Sequence, residues 1–267
     1  MTQGQPDMAS DSAVPVKFSV APNPNVPIKV LWGDDAVLVL YKPAGVVVQP
    51  GLGHTRDTIL NGLFAQYGKF LQNLGVKRDY GLLHRLDKDT SGIMMVALRP
   101  KAYDLLREDF EQRRIDKTYA TFVAGVPKTA QGVIQARLKE VQAGGIKKVI
   151  ISTTGQEAIS AYKVVNTTKS KSAALVDVNI KTGRLHQVRA HMLFLGTPVL
   201  GDYIYSLPAV RGIPVAPRLC LHAVKLGFKH PLLKKWQEHT CPFPPDMASY
   251  ATKLGLVVPS AYLVSEI

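Results

Sequence analysis

Two stretches concentrate the side chains that could do chemistry. The first, LLHRLDKDTSGIMMVAL at 82–98, sets His84, Arg85, Asp87, Lys88, Asp89, Thr90 and Ser91 between apolar runs. A charged cluster feeding an apolar run of strand length reads as a polar loop held by a buried strand, the usual seat of a working carboxylate. The same composition also suits a solvated turn, with Asp87 or Asp89 capping local backbone groups. The second stretch, KTGRLHQVRAHMLFLG at 181–196, carries Arg184, His186, Arg189 and His191. It reads as a strand ending at Thr182-Gly183, then a helix with the apolar stripe Leu185, Val188, Met192 and Leu195 and Gly196 as its stop. The basic side chains lie off that stripe. They form either an exposed basic face or an anion site, where helix-start amides and guanidinium forks suit phosphate or carboxylate. No metal is expected, because His186 and His191 lack HxxxH spacing and have no carboxylate at hand.

Strands and helices must position these loops. An apolar strand at 36–41 runs into the turn signal Lys42-Pro43-Ala44-Gly45. The Gly-rich segment at 50–54 lacks the Gly-Lys-Ser/Thr ending of a nucleotide phosphate loop. From Asp57, the spacing of Ile59, Leu60, Leu63 and Phe64 predicts a helix, and Ala102, Leu105, Leu106 and Phe110 predict another over 101–113. A strand is expected over 116–125, where Tyr119 would ordinarily be core. A hairpin around Ala143-Gly144-Gly145 should occupy 131–152, strands 157–165 and 173–180, and a further strand in 218–231 should enter a basic hairpin at Lys234-Lys235. Residues 1–27, rich in Pro, Ser, Asp and Asn, read as a disordered or draped arm, 28–254 as one α+β domain, and 255–267 as a tail with little pattern.

Composition narrows the partner. With 267 residues and 46% hydrophobic side chains, the chain can build a proper core. Its 33 Lys and Arg against 20 Asp and Glu give a formal charge of +13, which favours a polyanion, nucleic acid first. Two cysteines, Cys220 and Cys241, make neither a disulfide framework nor a CxxC pattern, which points to a reducing compartment. There is no run of membrane-spanning length and no apolar signal core at the start. The expectation is an intracellular protein of the cytoplasm, with an organelle matrix left open and no membrane partner.

The motifs resemble the RluA-type pseudouridine synthases. The resemblance rests on YKPAG at 41–45, HRLDKDTSG at 84–92, KTY at 117–119, TGRLHQVRAHMLFLGTPVLGD at 182–202 and RLCLHAVKLGFKHP at 218–231, in the family's order and spanning about 28–250. HRLDxxTSG followed by TGRxHQxR is specific, whereas KPAG alone is weak. The resemblance implies a pseudouridine synthase fold: a mixed, mostly antiparallel central sheet flanked by helices, crossed by an RNA-binding cleft, working without a cofactor. It implies isomerisation of uridine to pseudouridine in structured RNA, ribosomal RNA first and transfer RNA second, by a monomer with ribosomal subunit precursors as further partners. Asp87 would be the essential carboxylate, Tyr119 would stack on the base and help take its C5 proton, and Arg189 would pair with Asp87. Arg85 would fill the space left by the flipped nucleotide, and His84, Arg184, His186 and Lys42 would contact RNA. The first 27 residues cannot house the small RNA-binding domain often found ahead of this fold, and Cys220 stands where relatives often carry an aliphatic residue.

The chemistry suits these residue types. Breaking a glycosidic bond and rejoining the base through carbon needs a carboxylate near the sugar, as nucleophile or as charge stabiliser. A neighbouring Arg orients it, and an aromatic ring holds a base taken out of its stack. Two competitors stand beside this reading. One is an RNA-binding or ribosome-assembly factor whose catalysis is dispensable, motivated by the +13 charge. The other is a nucleoside or glycan hydrolase, which would need a second carboxylate, Asp89 being the nearest.

Overall fold

The computed structural model describes residues 18–207 and 212–263. Alternating and continuous apolar runs have become the strands β1 (Lys29–Gly33), β2 (Val37–Lys42), β3 (Ser91–Ala97), β4 (Asp116–Ala124), β5 (Gln131–Ala143), β6 (Ile146–Ile151), β7 (Gln156–Thr167), β8 (Ala173–Ile180), β9 (Leu221–Lys229) and β10 (Trp236–Thr240). They form one sheet in the order β1-β2-β3-β9-β4-β8-β7-β5-β6, with β10 on β9. Every pairing is antiparallel except β3 with β9, which run parallel for Ser91↔His222 and Gly92↔Ala223. There the backbones come so close that a Cβ on Gly92 would lie 2.3 Å from the Ala223 carbonyl oxygen, and Gly92 has φ 127°. Glycine is required by both space and conformation. This seam joins an N-terminal sheet half to a C-terminal one, and the loop bearing Asp87 enters directly above it.

Helix α1 (Ile59–Leu74) starts at a reciprocal cap in which Thr58 Oγ1 accepts from Asn61 N–H and Asn61 Oδ1 accepts from Thr58 N–H. It buries Ile59, Leu60, Leu63, Phe64 and Leu71, the predicted stripe and its continuation. Helix α2 (Pro100–Glu111) carries proline in its first turn. Successive β4 residues face opposite layers: Tyr119 and Val123 pack with the larger core, while Ala120 and Phe122 pack with Cys220, Val224, Phe243 and Tyr250 beneath helix α4 (Pro245–Leu254). The sequence patterning did not announce α4. Cys220 is a buried packing residue, and neither cysteine is in a disulfide.

Three expectations change. Ordered structure starts before residue 28: Phe18 packs edge-on against Phe64, Ser19 N–H donates to Gln72 Oε1 and Asn61 Nδ2 donates to Ala21 O, so 18–27 is draped along α1. The rest of the proposed arm lies outside the described residues. The tail also packs, because Leu256 is buried and Tyr262 donates to Asp177 Oδ2 while its carbonyl accepts from Phe243 N–H; 264–267 lie outside the described residues. Finally, helix α3 covers only Gln187–Phe194. The Gln187 side-chain oxygen accepts from Arg184 N–H and Thr182 Oγ1, and His186 is left-handed at φ 50°, so residues 184–186 are a turn. Arg189 and His191 are buried, not on an exposed basic face.

Candidate active site

The loop between Leu83 and β3 is held at three points. At its start, His84 Nε2 accepts from Met95 N–H at 3.0 Å, and its ring stacks on Phe110. Burial, then Lys117, push its pKa down to about 3, so His84 is a neutral brace. In the middle, Lys42 reaches in from the end of β2. Its fully buried ammonium donates to the carbonyls of Pro43, Val46 and Lys88 at 2.7, 2.7 and 2.9 Å, and Gly45 N–H donates to Lys88 O as well. Lys42 is therefore a clamp on the carbonyl of Lys88, the residue after Asp87, with no surface left for RNA. At the end of the loop, Ser91 Oγ donates to His222 Nδ1 at 2.7 Å and accepts from Arg218. His222 Nε2–H in turn donates to Cys241 O, and Arg218 pairs with Asp246 on α4. Burial pushes the His222 pKa down to about 4, consistent with that neutral tautomer.

Asp87 stands on this platform with a quarter of its side chain exposed. Its Oδ2 is 3.5 Å from Arg189 Nη1 and 3.9 Å from His186 Nε2. The resemblance implies that Arg189 pairs with Asp87. The stronger pair is with Asp202, whose buried carboxylate takes Arg189 Nε at 2.7 Å and Nη2 at 2.8 Å. Burial alone would raise the Asp202 pKa. Hydrogen bonds from Arg189 and from the N–H groups of Tyr205 and Ile204 outweigh it and hold the carboxyl below the usual carboxylate range. Arg189 is thus a fixed fork whose remaining nitrogen is aimed at Asp87.

Tyr205 completes the frame. Its hydroxyl accepts from Val149 N–H at 2.7 Å and meets His186 Nδ1 at 3.0 Å, and the Arg189 guanidinium lies 5.1 Å from its ring centroid. With the Tyr205 hydroxyl donating to Nδ1, the Nε2–H of the neutral His186 ring faces Asp87. Burial lowers the His186 pKa despite the opposing pull of Asp87. Across from this group, β4 supplies Tyr119, mostly buried but bordering the opening. Burial, then Asp87, push its hydroxyl well above the ordinary tyrosine value, so it is a neutral phenol.

These groups border a cleft of about 1320 Å³, with a small pocket of about 70 Å³ adjoining it between Asp87, Thr90, Tyr119 and Leu221. Arg85 is exposed on the rim of both, and Arg184 lines both while donating to Glu157 O at 3.0 Å. Residues 87, 119 and 189, drawn from separate motifs, meet in one place. Lys42 lies beneath it as a support, the half-buried His84 braces the loop from the cleft wall, and Arg85, Arg184 and His186 face the cleft. Sequence reasoning passed over Asp202, Tyr205, Arg218 and His222. Asp202 had a signal, as a rare acid in a basic chain within the motif that carries Arg189. Among the described residues no group of three or more His, Cys, Asp or Glu could hold a metal, and no helix is long and apolar enough to cross a membrane.

The arrangement offers one free carboxylate, a fixed cation beside it, a ring face and a positively charged entrance. Comparison with known proteins agrees. The family model described as RNA pseudouridylate synthase matches residues 36–194. A ribosomal large subunit pseudouridine synthase D from Zymomonas mobilis is 34% identical over 84% of this chain and 71% of its own, and one from Blochmanniella floridana is 32% identical over the same shares. Human RNA pseudouridylate synthase domain containing 4 superposes with a TM-score of 0.66 at 26% identity, covering 87% of this chain and 95% of its own. Human RNA pseudouridylate synthase domain containing 1, at 23% identity and TM-score 0.65, shares the fold over 86% of this chain and 90% of its own. The chain belongs to the RNA pseudouridylate synthase family and isomerises uridine to pseudouridine in RNA.

Proposed function

We propose that the RNA is ribosomal and that Asp87 meets the sugar of the target uridine. The carrying observation is the partly exposed Asp87 carboxylate at the cleft floor, with Arg189 behind it and Tyr119 opposite. In the reaction the C1′–N1 bond breaks, C1′–C5 forms, the C5 proton leaves and N1 gains a proton, so no electrons are exchanged with a partner. A carboxylate beside C1′ serves this as nucleophile or as stabiliser of a cationic sugar. Arg189, locked by Asp202, orients that carboxylate. Tyr119 offers its ring to the extruded uracil; as a neutral phenol it passes the C5 proton only in concert with an acceptor, and Asp87 is the one at hand. Arg85 stands where it can enter the space the nucleotide leaves.

Support for ribosomal RNA comes from the names of the Zymomonas and Blochmanniella relatives, which act on the large ribosomal subunit. Transfer RNA is the second candidate. We further propose a monomer that acts in the cytoplasm on RNA or on subunit precursors; the unpaired, buried Cys220 and Cys241 suit a reducing compartment. The test uses ribosomal and transfer RNA tritiated at uracil C5. Release of tritium from ribosomal RNA by the wild type, absent in a folded Asp87→Asn variant, is expected. Release from transfer RNA alone overturns the target, and full release by Asp87→Asn overturns the role of the carboxylate. An Asp87→Asn variant that restores normal ribosome assembly in cells would favour the assembly-factor reading.

A further inference from the structure

Lys117 lies on β4 two residues before Tyr119, so both side chains leave the same face of the strand and both border the cleft. Its ammonium sits 5.3 Å from the centre of the Phe110 ring, and an added Cβ on Gly183 would come 3.9 Å from it. Among the described residues no acceptor is placed for it. The adjacent acid, Asp116, is paired with Lys181 at 3.2 Å, while Glu111 and Glu157 are paired with Arg107 and Arg113. The titratable groups facing Lys117 are Lys181, from the end of β8, and the neutral ring of His84. Burial, then Lys181, bring the Lys117 pKa down to about 8. Arg184 follows Gly183 and lines the same cleft; its Nε is bonded to Glu157 O, and its terminal nitrogens have no partner among the described residues.

A partly desolvated ammonium without an acceptor is an expensive thing to keep. Its mechanistic neighbours do not need it, since Asp87 is served by Arg189 and His186. Lys117 and Arg184, on either side of Gly183 at the cleft wall, instead both have terminal nitrogens without an acceptor among the described residues, while Lys181 beside them is held by Asp116. We propose that Lys117, with Arg184, binds the phosphodiester flanking the target uridine where the strand bends into the pocket. A phosphate oxygen supplies the missing acceptor, and the absent side chain at Gly183 lets the backbone of the RNA approach. A uracil carbonyl would need one donor; two cations left without acceptors suit an anion. Binding the anion restores the full charge of Lys117, so affinity should fall as pH climbs through about 8, where the free enzyme loses that proton.

The test measures binding of a fluorescein-labelled, uridine-containing single-stranded RNA by anisotropy across salt and pH. Lys117→Ala should bind about ten-fold more weakly, the size of one charge-assisted hydrogen bond. Its plot of log affinity against log salt should be shallower by about 0.7, one phosphate contact to a single strand. Lys117→Gln should behave like Lys117→Ala, and Lys117→Arg should keep both affinity and slope while losing the decline above pH 8. Unchanged affinity and slope in Lys117→Ala overturns the proposal. So does a Lys117→Arg variant as weak as Lys117→Ala, which would mark a packing role. Unaltered binding with lost tritium release would place Lys117 at the base instead, again overturning it. The readout needs no knowledge of the natural target, so it fails separately from the ribosomal RNA reading.

Discussion

The floor and the roof of the cleft are built on opposite principles. The floor, residues 84–92, is short and pinned by buried and half-buried polar groups: Lys42 on Lys88 O, His84 on Met95 N–H, and Ser91 between Arg218 and His222. The roof is the β5–β6 hairpin, a long two-stranded arm turning at Gly144-Gly145, both with positive φ. It brings Lys139, Glu140 and Lys147 to the cleft, yet Ile146, Ile150 and Ile151 stay exposed and β6 is a sheet edge. Among the described residues its one side-chain hydrogen bond toward the site is Val149 N–H to Tyr205. Chemistry that needs sub-ångström placement sits on over-determined backbone, whereas a charged arm meets a partner whose shape is supplied from outside.

Breaking the floor should be costly. Arg189→Met leaves the Asp202 charge buried without its fork and should destabilise by about 3–5 kcal/mol in urea melts, while Arg189→Met with Asp202→Leu should recover much of that loss. Recovery would show that the pair provides geometry; no recovery would assign it stability. Lys42→Met removes the clamp on the Lys88 carbonyl. We expect a kcat lower by about 100-fold, the scale of a 1 Å misplacement, with RNA affinity within about two-fold in the anisotropy assay. Equal losses in both would mean that the floor also forms the binding surface.

Acid should undo the fold in a defined window. His222 and His191 are fully buried, and burial pushes each pKa down to about 4. The unfolded chain protonates them near pH 6.5 while the folded protein does not. Stability is therefore lost as pH falls from about 6.5 toward about 4, by about 1.4 kcal/mol per pH unit for each histidine. Urea melts at pH 7 and pH 5 measure the slope, and His222→Gln should flatten it. On the roof, Lys139→Ala should weaken RNA binding by only about two-fold and leave kcat unchanged in a titration at moderate salt.

Most of the architecture was legible because strand and helix periods are local properties. The β5–β6 hairpin followed from two glycines, and α1 from Ile59, Leu60, Leu63 and Phe64. Helix α3 was misplaced at its start because Gln187, a side chain with no cap signature of its own, folds back onto Arg184 N–H and Thr182. Asp87, Tyr119 and Arg189 stood out by motif, and the structure brings them together. Lys42 reads in sequence as an RNA contact because a type and a spacing do not reveal burial. Asp202 and His222 escaped because their meaning lies in pairings with Arg189 and Ser91, and the second spans 131 positions.

That last pairing bears on how the enzyme comes into being. The parallel seam of β3 and β9 closes a loop of about half the chain, and the backbone of Gly92 rests on a strand made long after it. Closure over such a distance is slow to nucleate compared with the hairpins on either side. During synthesis the Asp87 loop waits, without its Arg218 and His222 supports, until residues near 222 have emerged and docked. Activity should therefore arise late and in one step with completion of the sheet, so that an N-terminal fragment carrying Asp87, Tyr119 and Arg189 would hold the reacting groups without the platform that aligns them.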